Sequence, residues 1–310
     1  NRNPAYYPLM QMQHYLEYIS LQLLLGLVRI LPQSAVYRLV KGLSRAGFMI
    51  LKKRRHISLQ NLRIAFPKKT EQERESMARN AYKNLAHSIA YNLLIQTHRI
   101  SNEELQQAVT VENWNRFPRS DENNQAGTLF ITAHLGNWEL LPQFTALHQT
   151  TPIHVIARET SNPLIEENLV SPLRNRFGFN VFYKKNAVLH MLKALKRGEH
   201  VGILIDQKLN HRMHINVPFF GTPARTTPVP AQLQMRYKIN VQPVCMIHLS
   251  RGRFKFIVGE PIEPVDSTLP EEQQIQELTA RHQAAIESMI RDYPEQWFWM
   301  HNRWNVKDQA

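Results

Sequence analysis

Six short apolar runs, at 128–133, 153–157, 180–183, 201–205, 241–249 and 254–258, alternate with stretches of helical periodicity at 163–177, 187–197 and 231–237. This alternation is the strongest constraint on the fold. Apolar runs of that length, bounded by Gly, Pro or polar residues, predict strands. Strands separated by helices predict a sheet covered on both faces. The expected fold class is α/β, with a mixed, mostly parallel sheet flanked by helices. Ahead of the strands, Thr70 and Glu73 form a capping-box pattern. It opens a helix on which Met77, Ala78, Ala81, Tyr82, Leu85, Ile89 and Leu93 recur at helical spacing. Near the end, Ile275, Leu278, His282, Ile286 and Met289 mark one more amphipathic helix. No repeat, low-complexity tract or Pro/Gly-rich linker interrupts this order, which predicts a helical N-terminal portion of about 110 residues packed on one α/β body.

The chain of 310 residues is 43% hydrophobic and 20% charged, the balance of a globular protein rather than a disordered or multi-span one. Its 38 basic and 25 acidic side chains give a formal charge of +13, which attracts polyanions and anionic membrane faces. Nucleic acid as the partner is disfavoured because the basic residues are spread along the chain and no recognition motif occurs. Cys245 is the only cysteine, so neither an intrachain disulfide nor a cysteine-rich zinc site is available. A serine hydrolase lacks its Gly-x-Ser-x-Gly elbow. His211 and His214, three apart with no carboxylate nearby in sequence, are a weak metal signal, and neither metal nor cofactor is expected.

Residues 15–31 are rich in Leu and Ile but contain Glu17, Gln22 and Arg29. As a helix they rise about 25 Å, short of a hydrocarbon core of about 30 Å. Only Arg2 precedes them as a basic residue and no small-x-small cleavage site follows, which disfavours a signal peptide. Arg38, Lys41, Arg45 and the run Lys52-Lys53-Arg54-Arg55 come next, as in a segment held against an anionic leaflet. The chain is therefore expected to divide into a membrane-associated helical segment at 1–55 and an α/β domain at 56–310.

The chemistry is sought where a strand ends. His134 follows the run 128–133 directly, and Glu139 comes five residues later. On one continuous helix the two would point about 140° apart, at about 100° per residue. A turn at Gly136 and Asn137 removes that obstacle, with Asn137 or a later residue opening the next helix ahead of Pro142. A neutral imidazole can then take the proton of an alcohol attacking a thioester while a carboxylate steadies it. A purely structural His–carboxylate contact has the same spacing. Arg158, Asp206 and Gln207 also lie just past strands, at the edge where open α/β sheets bind ligands. There Arg158 suits a phosphate, and Asp206 suits a site arginine or a sugar hydroxyl.

The string Thr132-Ala133-His134-Leu135-Gly136-Asn137-Trp138-Glu139 resembles the signature of the late lipid A acyltransferases, a family of the bacterial lysophospholipid acyltransferase superfamily. Further blocks similar to the family's follow its order, from Asn61-Leu62-Arg63-Ile64-Ala65-Phe66-Pro67 through Arg174-Asn175-Arg176-Phe177-Gly178, Asp206-Gln207 and Phe219-Phe220-Gly221 to the closing block Pro294 to Trp304. Together they cover about residues 16 to 304. Val229, where the family pattern has a small glycine, and Glu139, where it often has Asp, are departures from it.

The resemblance implies a glycerolipid acyltransferase-like fold and an O-acyltransferase at the cytoplasmic face of the bacterial inner membrane. It would move a fatty acyl chain from acyl carrier protein to a hydroxyl of a lipid A precursor, with no cofactor. It carries His134 over as general base and Glu139 as its orienting carboxylate, with Asn137, Arg158, Arg176, Asp206 and Gln207 as substrate-binding residues. The oxyanion would be met by backbone N–H groups near Gly136 and Asn137 or by Arg158. Phe219, Phe220, Trp297, Trp299 and Trp304 suit an acyl channel, a membrane interface or the core. The alternatives are an acyl-CoA-dependent acyltransferase acting on another glycolipid or a lysophospholipid, and a basic nucleic-acid-binding protein.

Overall fold

A computed structural model describes residues 6–118, 127–157, 160–183, 186–209, 213–265 and 268–306. The chain begins with four helices, α1 (Tyr6–Ile30), α2 (Gln33–Ile50), α3 (Lys52–Ala65) and α4 (Glu71–Gln96), followed by the short α5 (Asn102–Gln107) and strand β1 (Val109–Glu112). Strand β2 (Thr128–Thr132) then leads through α6 (Leu140–His148) to β3 (Ile153–Ala157). The short α7 (Pro163–Ile165) runs through a π-helical turn into α8 (Ser171–Phe177), and β4 (Asn180–Tyr183), α9 (Ala187–Lys196) and β5 (His200–Leu204) follow. The hairpin β6 (Ile215–Phe219) and β7 (Thr222–Thr226) precedes α10 (Val229–Tyr237), β8 (Asn240–Ser250), β9 (Arg253–Val258) and α11 (Glu271–Asp292).

Seven strands form one sheet in the order β1-β9-β8-β2-β5-β3-β4. Neighbouring pairs are parallel except β8 with β9, which are antiparallel. The expected mixed, mostly parallel sheet flanked by helices is observed, and all six expected strands are in it. Sequence reading missed β1, whose four residues carry little pattern, and the β6–β7 hairpin, which turns on Phe220 and Gly221 at φ 51° and 74°.

β2 is buried along its whole length because both faces are covered. Leu129 and Ile131 enter one core with Leu195, Val201, Ile247, Ile286 and Trp297. Phe130, on the other face, enters a second core with Leu140, Phe144, Ile153, Met246 and Phe256. α4 serves both, with Met77, Ala78, Ala81 and Tyr82 in the first and Ala86, Ala90, Tyr91, Leu94 and Ile95 in the second. Packing on two sides explains why its buried surface is broader than one stripe, and Ile89, expected to face inward, is exposed. The capping box at its start is present, with the Glu73 N–H donating to Thr70 Oγ1 at 3.2 Å and the Thr70 N–H donating to Glu73 Oε2 at 2.7 Å.

The N-terminal helices join these same cores through Val28, Val36, Tyr37 and Val40 on one side and Phe48 and Leu62 on the other. The expected boundary at 55/56 falls inside α3. Along α1, Leu25 and Val28 are buried, while Leu16, Ile19, Leu23, Leu27 and Ile30 form an exposed stripe on the opposite face. Among the described residues no helix is long and apolar enough to cross a membrane.

Candidate active site

β2 and β5 lie side by side and parallel, with Thr132 opposite Leu204. His134 stands two residues beyond Thr132, and Asp206 two residues beyond Leu204. Equal offsets from paired positions bring the two side chains to one level at the carboxyl edge of the sheet. His134 Nδ1 lies 2.8 Å from Asp206 Oδ1, and the His134 backbone N–H donates to Asp206 Oδ2 at 3.0 Å. The Trp297 indole N–H, arriving from the segment after α11, donates to that same oxygen at 2.7 Å. Asp206 is fully enclosed, but its charge is met by these donors, as a buried carboxylate requires.

The electrostatics follow from this geometry. Burial pushes the Asp206 carboxyl up, but the His134 charge and the hydrogen bonds from His134 and Trp297 outweigh it and hold the group below the usual carboxylate range. For His134, burial pushes the imidazole down, while the charge and hydrogen bond of Asp206 and the charge of Glu139 push it further the other way, to above the usual histidine value. With Nδ1–H directed at Asp206, Nε2 is the basic nitrogen. The Gln207 side-chain amide nitrogen stands 3.2 Å from it.

The turn carrying His134 is clamped from two directions. Beyond Pro243, β8 no longer pairs with β2, and the turn occupies the freed edge. The Asn137 N–H donates to Met246 O at 2.8 Å and the Gly136 N–H to Gln296 O at 3.0 Å, while His134 O accepts from the Phe298 N–H at 3.0 Å. Gly136 has φ 61°, and a Cβ there would lie 2.0 Å from Met246 O, so only glycine fits. From α4, Ser88 Oγ donates to Gly136 O at 3.2 Å, and Asn92 exchanges two amide hydrogen bonds with Asn137, each 3.0 Å.

Several expected roles change. Asp206, rather than Glu139, makes the orienting contact at Nδ1. Glu139 is exposed, precedes the first residue of α6, and accepts from the Trp138 indole N–H at 3.1 Å. Asn137 is buried and held by Asn92, so it fixes the turn instead of reaching substrate. The N–H groups of Gly136 and Asn137 already donate to Gln296 and Met246, which removes them as oxyanion donors. Arg176 points away from the site and donates to Ile95 O at 2.9 Å and Ile100 O at 2.6 Å, closing the end of α4. Its neighbour Arg174 is the one that lines the site cavity, paired with Glu166 at 2.6 Å and Tyr183 at 2.8 Å. Arg158, with Glu159 and His211, lies outside the described residues. Phe219, Phe220, Trp297 and Trp299 are core side chains that make edge-to-face contacts and one stacked contact, between Phe220 and Trp297.

His134, Trp138, Glu139 and Gln207 open on a cavity of about 880 Å³. Its walls also include Leu141, Val155 and Phe256, from the core between the sheet and α6. Lys208 and His301 line it as well, the Lys208 N–H donating to His301 Nε2 at 3.1 Å, and burial pushes the His301 imidazole down to about 4. Burial thus holds His301 in its neutral form beside the His134–Asp206 pair. Among the described residues no group of three His, Cys, Asp or Glu side chains is placed to hold a metal ion. The arrangement suits proton transfer at Nε2 next to an apolar chamber.

The contribution of Trp297 and the direct pairing of Asp206 with His134 were not read from the sequence. The signal that could have found the pairing is the equal two-residue offset of His134 and Asp206 from the ends of their strand runs.

A sequence model described as "Bacterial lipid A biosynthesis acyltransferase" matches residues 8–306. The Escherichia coli (strain K12) protein named lipid A biosynthesis lauroyltransferase is 23% identical over 300 residues, covering 92% of this chain and 90% of the relative. The palmitoleoyltransferase of the same strain is 26% identical over 275 residues, covering 85% and 84%. Its myristoyltransferase is 22% identical over 259 residues, covering 83% and 77%. With the family match extending over nearly its whole length, the chain belongs to the bacterial lipid A biosynthesis acyltransferases and is an acyltransferase.

Proposed function

We propose that the protein transfers a fatty acyl chain from acyl carrier protein to a hydroxyl of a lipid A precursor, at the cytoplasmic face of the inner membrane. The observation that carries this reading is the His134–Asp206 pair, whose Nε2, beside the Gln207 amide, faces a cavity walled in part by Leu141, Val155 and Phe256. Nε2 takes the proton of the acceptor hydroxyl as its oxygen attacks the thioester carbonyl carbon, giving a tetrahedral oxyanion and an imidazolium. Asp206 holds the ring and stabilises the imidazolium, and Glu139 adds a second negative charge from the cavity wall. The C–S bond then breaks, the thiolate leaves with the proton from Nε2, and the ester remains on the acceptor. Gln207 is the amide donor beside the reacting atoms, and one well-placed donor of this kind contributes about 3–4 kcal/mol to the transition state. The fatty tail occupies the chamber against α6.

The exposed Leu16, Ile19, Leu23, Leu27 and Ile30 on α1 support a membrane-surface location, with the apolar face of the helix lying in the lipid interface. Arg38, Arg45, Lys52 and Arg55 just beyond it add attraction to an anionic leaflet.

The direct test is turnover of acyl-carrier-protein substrate by His134→Ala, with folding checked by circular dichroism. The expected loss is at least about a hundredfold. A folded variant with near-normal turnover overturns the assignment. Mass spectrometry of lipid A from a deletion strain should show one acyl chain fewer, and an unchanged acyl pattern removes lipid A as the acceptor.

A further inference from the structure

Away from the catalytic cavity, a second pocket of about 340 Å³ opens between α2, α4 and the β8–β9 turn. Ser34, Arg38 and Lys41 enter it from α2 at spacings of four and three, so they share one face of that helix. Arg251, from the two-residue turn, and His87, from α4, complete it above the Tyr37 ring, over which the Arg251 guanidinium sits at 5.0 Å. None of the described residues lining the pocket is a carboxylate. The first turn of α2 has no acidic residue and no side-chain cap, so the positive end of an 18-residue helix also faces this region. His87 stacks on His248 at 4.6 Å with Nδ1 lacking a hydrogen-bond partner. Arg38, Lys41 and Arg251 thus meet in one concavity whose own described lining holds no acidic side chain, the carboxylate of Glu104 standing in the adjoining pocket that Tyr37 and Arg251 share.

The position says which anion. Ile30, 78% exposed, ends the apolar stripe of α1 four residues before Ser34. Arg99 pins that junction by donating to Val28 O at 2.9 Å and to Leu31 O. The pocket therefore lies where an interfacial helix leaves the apolar phase.

We propose that Ser34, Arg38, Lys41 and Arg251 form a binding site for the phosphate of an anionic lipid head group. The proposal rests on the membrane-surface reading of α1. It adds a specific lipid site, separate from the reacting centre, that fixes how the enzyme sits on the bilayer. The head-group phosphate approaches the open first turn of α2 and the two guanidinium groups, which bind it through charged N–H donors.

The test is co-sedimentation of the full chain with vesicles of phosphatidylcholine alone or with one-third phosphatidylglycerol, for wild type, Arg38→Gln/Lys41→Gln/Arg251→Gln, and the charge-matched Lys68→Gln/Lys193→Gln/Lys238→Gln at exposed positions elsewhere. The expected result is a preference for phosphatidylglycerol that falls at least about tenfold in the pocket variant and largely survives in the matched variant, with phosphatidylcholine binding unchanged in both. Equal loss in the two variants means diffuse charge attraction and overturns the site, as does a pocket variant that keeps the full preference. Either result leaves the membrane-surface reading standing. Wild type that binds neither vesicle removes that reading and the site with it. In a parallel arm, glycerol 3-phosphate should move the NMR titration of His87 upward, and inorganic phosphate should do so only at much higher concentration. Equal action of the two ions identifies a free-phosphate site and refutes the head-group assignment.

Discussion

The Trp297 indole and the His134 backbone donate to the same oxygen of Asp206, at 2.7 Å and 3.0 Å, so a residue near the end of the chain holds the partner of the candidate base. Asp206 has no freedom to turn away from His134 while both donors are in place. Trp297 is a positioning residue that acts through Asp206. Trp297→Phe keeps most of the packing but removes one hydrogen bond to a buried charge, a loss of about 1.5–3 kcal/mol. The variant should fold with a lowered Tm, and kcat should fall at least about tenfold with KM little changed. A kcat that follows wild type despite the lowered Tm shows that the indole N–H serves stability alone.

Asp206→Asn and Glu139→Gln separate the two carboxylates. Burial pushes the His134 imidazole down, and Asp206, acting by charge and hydrogen bond, opposes it more strongly than Glu139, which acts by charge alone. The acidic limb of the kcat/KM–pH profile should move to lower pH in both variants, further in Asp206→Asn. Turnover should fall at least about a hundredfold in Asp206→Asn. A larger displacement in Glu139→Gln assigns the dominant electrostatic role to Glu139.

The wild-type profile has a definite sign. A general base must be deprotonated, and His134 is held above its ordinary value of 6.5. Activity should therefore rise with pH through a midpoint above that value, measured on acyl-carrier-protein substrate at constant ionic strength. A midpoint below 6.5 contradicts the pairing.

Stability carries the same signature with opposite limits. Asp206 is depressed below its ordinary 3.8, so its contribution is complete above that pH and is lost as pH falls through the depressed value. His134 is raised above 6.5, so its contribution is complete below that pH and is lost as pH rises through the raised value. The Tm difference between wild type and Asp206→Asn should be largest between those two ordinary values and shrink on either side. A difference independent of pH refutes the ion-pair description.

Gly136→Ala tests the clamp on the turn that carries His134. At φ 61°, with Met246 O 2.0 Å from the position of a new Cβ, the turn must leave β8 to admit a methyl group. The expected destabilisation is at least about 2 kcal/mol by denaturant melts, with a loss of turnover larger than the loss of folded protein. Full activity in the folded fraction shows that His134 is held without the bond from Asn137 to Met246.

Much of this architecture was legible in the sequence because it rests on local patterns. Apolar runs and helical spacing locate six strands and the main helices, and Thr70 with Glu73 marks the start of α4 by a contact only three residues apart. Gly136 reads as a turn for a reason that survives folding, its positive φ. Asn137 and Arg176 misled because a polar residue in a recognisable block looks the same whether it faces a ligand or closes a helix. Their hydrogen bonds to Asn92, Ile95 and Ile100 span between 45 and 81 residues.

What the sequence determined by itself is the class of the sheet, the strand end that carries His134, and the excess of cationic over anionic side chains. Only the tertiary structure decided which carboxylate meets the imidazole. Glu139 is five residues away along the chain and Asp206 seventy-two, yet parallel pairing of β2 with β5 sets Asp206 beside His134, while the clamped turn and the start of α6 direct Glu139 toward the cavity. Chain separation says little about distance once two strands share a register, because the hydrogen-bonded ladder, not the connecting chain, fixes which strand ends stand side by side.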